Sequence, residues 1–208
     1  MKYDRQIKWI SEPDKGMYEA INKGFSIAKG EILTYINSDD LYYSENVVNT
    51  VVDAFEKNKS IDFIYGHCAF MDDYGTLLYI YKAPFFHRKI ALAYHRIIFH
   101  QPTCFWRKTI HTEFDTSFKF AGDSKFFRYI CKNFNGKNVN YVIAKFRIRQ
   151  DGLSISQRTN IHEESKRIFA HKTPYYMKLF DLFYIRTFLN FRANLKRLML
   201  HYQKRPNL

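Results

Sequence analysis

The chain has 208 residues, a net charge of +13, 46% hydrophobic and 25% charged residues, and only 8 Gly and 5 Pro. These proportions exclude a disordered, collagen-like or low-complexity protein. The length gives one domain of ordinary size, with a core that needs no disulfide or structural metal. The positive balance favours polyanionic partners: nucleic acid, anionic lipid or phosphorylated ligands.

In chain order, Ile7–Ile10 reads as a short strand. Met17, Ala20, Ile21, Gly24, Ile27 and Ala28 recur at helical spacing, with Asp14 at the start and Gly30 as a stop. Glu31–Ile36 is a short apolar run that fits a strand buried on both faces. Val47, Val48, Val51, Val52 and Phe55 form a second helical stripe, with Ser44 as its N-cap. Asp62–Phe70 and Thr76–Tyr81 read as strands joined by the turn Asp72-Asp73-Tyr74-Gly75. Thr103–Arg107 is a further strand. Phe126, Phe127, Ile130, Cys131 and Phe134 make a third helical stripe that Asn135-Gly136 ends, and Val139–Ile148 is strand-like. Strands alternating with helices predict an α/β layer fold with a largely parallel sheet.

Cys68, Cys104 and Cys131 are odd in number, widely spaced and in no CxxC pair. That pattern predicts free thiols in a reducing compartment and argues against a zinc ribbon. No apolar leader follows Met1, and no run approaches the roughly 18 apolar residues of a spanning helix. The expected location is cytoplasmic.

The chemistry is expected at the end of the Glu31–Ile36 strand, because open α/β sheets bind ligands beyond the carboxyl ends of their strands. That strand runs into Asn37-Ser38-Asp39-Asp40. Two adjacent carboxylates suit Mg²⁺ or Mn²⁺, which leave their other positions to water and substrate phosphates. On spacing alone, a solvated loop or a cap ahead of Leu41 is the commoner use of such a pair.

The surrounding residues narrow the choice. Ser11-Glu12-Pro13-Asp14-Lys15-Gly16, Asn22-Lys23-Gly24, Ala28-Lys29-Gly30-Glu31 and Asn37-Ser38-Asp39-Asp40 follow one another in order. Downstream come His100-Gln101-Pro102-Thr103, Phe105, Arg107-Lys108, Phe114-Asp115, Phe118 and Ala121-Gly122-Asp123. The ordered set, over roughly residues 7 to 155, closely resembles the family-2 glycosyltransferases of the GT-A fold. The resemblance implies a partial GT-A sheet with flanking helices, a nucleotide-sugar donor, a divalent cation and transfer with inversion. It places Asp40 on the metal, and Asp39 by the ribose or the metal shell. Glu12, Asp14, Lys15 and Gly16 would lie near the nucleotide, with Lys15 and Asn22 as candidate donor contacts. An exposed first-turn helix position accounts for Lys15 and Asn22 equally well, and Gly16 and Gly24 could serve close helix packing.

Inverting transfer needs a carboxylate to take the acceptor hydroxyl's proton. The matching residue is Asp123, whose context also suits an N-cap, a position that would lower its pKa. Many relatives carry an acid before this aspartate, where Gly122 stands here. His100 and Gln101 begin the acceptor-side block, although a packed ring is the commoner state of such a histidine. Gly152-Leu153-Ser154 matches a loop that could close over the donor. Glu163, Glu164 and Lys166 read as a solvated helix face, with His162 a remote phosphate or metal contact.

Two features set the chain apart. Family members begin with strand–helix units that hold the nucleotide base, whereas Met1 stands just before the strand leading to Ser11-Glu12. The expectation is an N-terminally truncated catalytic domain, 1–171, whose base-recognition half is missing or comes from a partner chain. The second feature is the tail, 172–208. It carries +7 and an apolar stripe of Met177, Phe180, Tyr184, Phe188, Phe191, Leu195, Leu198 and Tyr202. A basic amphipathic helix of this kind fits peripheral attachment to an anionic membrane, on its inner face, and fits equally packing on the catalytic domain or on another subunit. With so much charge on one such helix and no nucleic-acid signature, a nucleic-acid partner is not expected. The leading expectation is therefore a metal-dependent glycosyltransferase acting on a saccharide or lipid-linked acceptor in surface polysaccharide synthesis. The alternative is a catalytically inactive relative serving as a membrane- or partner-binding module.

Overall fold

The structure, a computed structural model, describes residues 7–85, 97–149 and 151–169. The expected tail, 172–208, lies outside the described residues. Six strands form one sheet: β1 (Ile32–Leu33), β2 (Leu41–Tyr42), β3 (Phe63–Met71), β4 (Leu77–Tyr81), β5 (Cys104–Arg107) and β6 (Gly136–Arg147). The spatial order is β1-β5-β3-β6-β2, with β4 paired to β3 away from this path. The helices are α1 (Met17–Ile27), α2 (Val47–Lys57), α3 (Gly122–Asn133), the short α4 (Leu153–Ser156) and α5 (Arg158–Ile168).

The α/β class holds, but the largely parallel sheet does not. Among the described residues only β3 and β6 run parallel; β1–β5, β2–β6, β3–β4 and β3–β5 are antiparallel. The β3–β4 pair follows from the hairpin at the 72–75 turn, where Asp72 Oδ1 accepts the N–H groups of Tyr74 and Thr76 at 2.9 and 2.8 Å. It folds β4 back on β3, and β5 then enters antiparallel between β1 and β3.

β3 is buried along its whole length and supplies both cores. Phe63 and Tyr65 face one side with Tyr18, Phe25, Trp106, Phe126 and Phe127. Ile64 faces the other with Val47, Val51, Phe55, Phe105 and Ile143. This alternation follows from the two-residue period of a strand. The α2 stripe is narrower than its valines suggest: Val47, Val51 and Phe55 are buried, and Val48 and Val52 are exposed. Ser44 does not cap α2; its hydroxyl meets the Tyr141 hydroxyl at 3.0 Å, and the N-cap is Asn46.

Two further expectations change. Ile7–Ile10 forms no strand and is exposed, Trp9 by 69%, because it lies unpaired, and an extended segment needs a ladder partner to persist. The helix α1 is rotated relative to the expected stripe. Tyr18 and Phe25 enter the core, while Met17 and Ile27 are exposed beside β1, the terminal strand of the sheet's path. For the same reason the Glu31–Ile36 run is not buried on both faces. Only Ile32 and Leu33 pair, and Ile36 is exposed.

Candidate functional site

The segment after β1 is held by side chains instead of ladder bonds. Thr34 Oγ1 donates to the Cys104 carbonyl at 2.9 Å, and Gln101 Nε2 donates to the Tyr35 carbonyl at 2.6 Å. Asn37 Nδ2 then donates to Gln101 Oε1 at 3.3 Å and to Asp40 Oδ2 at 3.2 Å. On the far side, the Arg147 N–H donates to Asp40 Oδ1 at 3.1 Å. The Arg147 guanidinium donates to the carbonyls of Asp39, Asp72 and Asp73. The paired aspartates are thus pinned between the end of β1 and the end of β6, and Gln101 joins the same network.

Asp40 is 5% exposed, and burial pushes its carboxyl up to about 6. The Asp39 charge adds to the rise; the Arg147 N–H and the Asn37 amide oppose it. Each Asp40 oxygen carries one N–H donor and keeps a second lone pair. A desolvated carboxylate of this kind gains from a cation. Among the described residues no group of three His, Cys, Asp or Glu side chains could close around a metal. Asp40 and Asp39 offer carboxylate oxygens of the kind that suit a hard ion taking most of its ligands from water and phosphate.

Asp123 lies in the first turn of α3, whose buried side is Phe126, Phe127, Ile130 and Cys131. Its Oδ1 accepts the Ser124 N–H at 2.7 Å and the Tyr18 hydroxyl at 3.2 Å. The expected cap and lowered pKa are both corrected. Ala121 holds the N-cap position, and burial raises the Asp123 carboxyl against the pull of its hydrogen bonds.

The segment that leads into α3 is held by Glu164 on α5. Its Oε1 accepts the Lys119 N–H at 2.8 Å, and its Oε2 accepts those of Phe120 and Ala121 at 2.9 and 2.8 Å. These three bonds hold the Glu164 carboxyl below the ordinary range despite its partial burial. Glu164 is not part of a solvated face. Glu163 and Lys166, which pair with each other, are.

The two carboxylates share a neighbour. Burial pushes the Tyr35 phenol well up, and the charges of Asp123 and Asp40 both add to that rise. Its ring stands edge-on to Phe114 at 5.6 Å, and the Tyr18 ring stacks on Phe114 at 5.8 Å. Tyr18, whose hydroxyl donates to Asp123, Phe114 and Tyr35 form a run of contacting aromatic rings.

The expected donor residues lie at or on α1, and each has a partner close by. Asp14 Oδ1 accepts the Gly16 N–H at 2.9 Å, and the Lys15 N–H donates to Glu19 Oε2 at 2.7 Å. Glu12 pairs with Lys23 at 2.9 Å. All three serve the exposed start of α1. Asn22 exchanges two bonds with Phe114, donating to its carbonyl at 2.9 Å and accepting its N–H at 2.8 Å. It acts as a clamp between α1 and the segment that carries Phe114. Gly16 and Gly24 mark no close contact, since a Cβ at either would meet nothing within 4 Å.

His100 is a packed ring. It is edge-on to Phe70 at 4.8 Å and Tyr81 at 4.7 Å, and burial pushes its imidazole down to about 4. Sequence reasoning gave no role to Asn37, Tyr18, Tyr35, Arg147 or Glu164. Asn37 could have been included from its place beside the aspartates. The other four carry no local signal.

The profile of Glycosyl transferase family 2 matches residues 1–115. Two uncharacterized glycosyltransferases of Mycobacterium tuberculosis, from strains CDC 1551 and H37Rv, are each 31% identical over 121 residues. The match covers 57% of this chain and 45% of each relative, so it spans just under half of their length.

Proposed function

Since the chain belongs to glycosyltransferase family 2, we propose that it moves a sugar, with inversion, from a nucleotide-sugar donor to a saccharide or lipid-linked acceptor, in surface polysaccharide synthesis. One observation carries the reading. A desolvated aspartate beside a second carboxylate, Asp40 with Asp39, and a buried aspartate, Asp123, both act on the Tyr35 phenol, whose ring meets Phe114, the ring stacked on the Tyr18 that donates to Asp123.

In this reading Asp40, with Asp39, would hold Mg²⁺ or Mn²⁺ beside the donor. The bound ion neutralises charge on the leaving group. Asn37 and Gln101 fix the Asp40 carboxylate and the adjacent backbone, and Gln101 lies on the acceptor side. Asp123 faces the acceptor hydroxyl. As that oxygen attacks the anomeric carbon and the bond to the diphosphate breaks, the hydroxyl proton passes to the carboxylate. A raised pKa makes Asp123 the better base.

The test is calorimetry of the full chain with a panel of nucleotide sugars and Mn²⁺, followed by an assay of nucleoside diphosphate release with saccharide acceptors. Asp123→Asn should keep donor binding and lose transfer. A donor affinity that collapses in Asp123→Asn would assign the residue to the donor pocket instead. The placement of Glu12, Asp14 and Lys15 on the start of α1 favours one other reading, an inactive relative used as a membrane- or partner-binding module. That reading requires no nucleotide-sugar binding at all.

A further inference from the structure

We infer that Tyr18 is the positioning residue for Asp123, its hydroxyl fixing the carboxylate and its ring fixing the helix turn that carries it. The inference rests on the base assignment made above. Tyr18 is 2% exposed, on α1, and lies 105 residues from Asp123 in sequence. Its hydroxyl donates to Asp123 Oδ1 at 3.2 Å, the same oxygen that accepts the Ser124 N–H. With Oδ1 loaded by two donors, Oδ2 is the oxygen left to take a proton from an acceptor.

The ring contributes separately. A Cβ at position 122 would stand 2.8 and 2.9 Å from Tyr18 Cε2 and Cδ2, closer than side-chain carbons approach. Gly122 therefore lets the first turn of α3 close onto the phenol. An acidic side chain at this position would collide with the ring, which gives a steric reason for glycine before Asp123. The ring's other support is Phe114, stacked at 5.8 Å and itself clamped by Asn22.

The protonation state is suited to the task. Burial and the Asp123 charge both push the Tyr18 phenol up, so the hydroxyl keeps its proton and acts as a donor. The Tyr35 phenol is a further ionisable neighbour, acted on electrostatically by both Asp123 and Tyr18.

The experiment replaces the hydroxyl and keeps the ring. Asp123 is followed by carboxyl ¹³C NMR titration in the wild type, Tyr18→Phe, Gly122→Ala and the double variant. Loss of a donor to the ionised form should raise the Asp123 midpoint by about one pH unit in Tyr18→Phe. The acid limb of the transfer rate should move with it, with donor KM unchanged. Gly122→Ala should shift the midpoint in the same direction, and should add nothing in the Tyr18→Phe background if it acts through the hydroxyl. An Asp123 midpoint that does not move in folded Tyr18→Phe overturns the inference. The titration needs no turnover, so a shifted midpoint in a chain that transfers no sugar would fail the functional reading and leave the Tyr18–Asp123 coupling standing.

Discussion

Asn22 and Phe114, 92 residues apart, are joined in both directions: the Asn22 amide donates to the Phe114 carbonyl and accepts its N–H. This clamp ties α1 to the segment that supports Tyr18 and Tyr35. The candidate site therefore depends on a residue that touches neither carboxylate.

Asn22→Ala leaves a partly buried N–H and C=O without partners. The expected loss is about 2 kcal/mol in urea unfolding, because unmade bonds cost more than the mean bond contributes. Asn22→Asp, which keeps the acceptor, should lose about half as much. Unaltered stability together with weakened nucleotide-sugar binding would instead restore the donor contact.

Glu164→Gln should destabilise the fold by about 1–2 kcal/mol at neutral pH, since three bonds to a charged acceptor are weakened. The folded-state pKa of Glu164 lies below its ordinary value of 4.5. Its contribution is therefore complete above that value and lost as pH falls through the lower folded one. The gap in urea midpoint between wild type and variant should shrink by about pH 3. A gap of equal size at both pH values would show that shape, not charge, holds the 119–121 segment.

Asp40 has the opposite sign. Its folded value, about 6, is above its ordinary 3.8, so the folded state holds the proton more tightly and stability falls as pH rises between the two. In EDTA at neutral pH, Asp40→Asn should be more stable than wild type by about 2 kcal/mol, with the advantage gone below about pH 4. Added Mn²⁺ should raise the wild-type melting temperature and leave the variant unmoved. A variant that still responds to Mn²⁺ would place the ion elsewhere.

The tail prediction concerns residues 172–208, outside the described structure. Its +7 and apolar stripe predict attachment to anionic vesicles that high salt weakens without abolishing. Each basic residue near the surface contributes about 1 kcal/mol, and burial of Phe180, Phe188 and Phe191 adds a part that salt does not screen. Deleting 175–208 should release the chain with its core still folded. Aggregation of the deleted chain, and no flotation of the intact one at any salt, would show that the stripe packs on protein.

Much of the fold was legible locally. The Phe126–Cys131 stripe lies on a helix and is buried, and the Asp72–Gly75 turn joins the two strands expected there. Both rest on short-range periodicity and turn chemistry, which neighbouring residues alone specify. The rotation of α1 was not legible. Its sequence is apolar on more than one side, and only the position of the sheet selects Tyr18 and Phe25 over Met17 and Ile27.

The sequence by itself determined the family and the α/β alternation, and nominated the carboxylates Asp39, Asp40 and Asp123, because each is written in contiguous residues or short spacings. Tertiary structure alone decided what those carboxylates meet. Asp40 receives its N–H from Arg147, 107 residues away; Asp123 receives its hydroxyl from Tyr18; and the segment leading into α3 takes its acceptor from Glu164. Desolvation depends on everything packed around a group. Consequently Asp123 has a raised pKa, where its place at a helix start had suggested a lowered one.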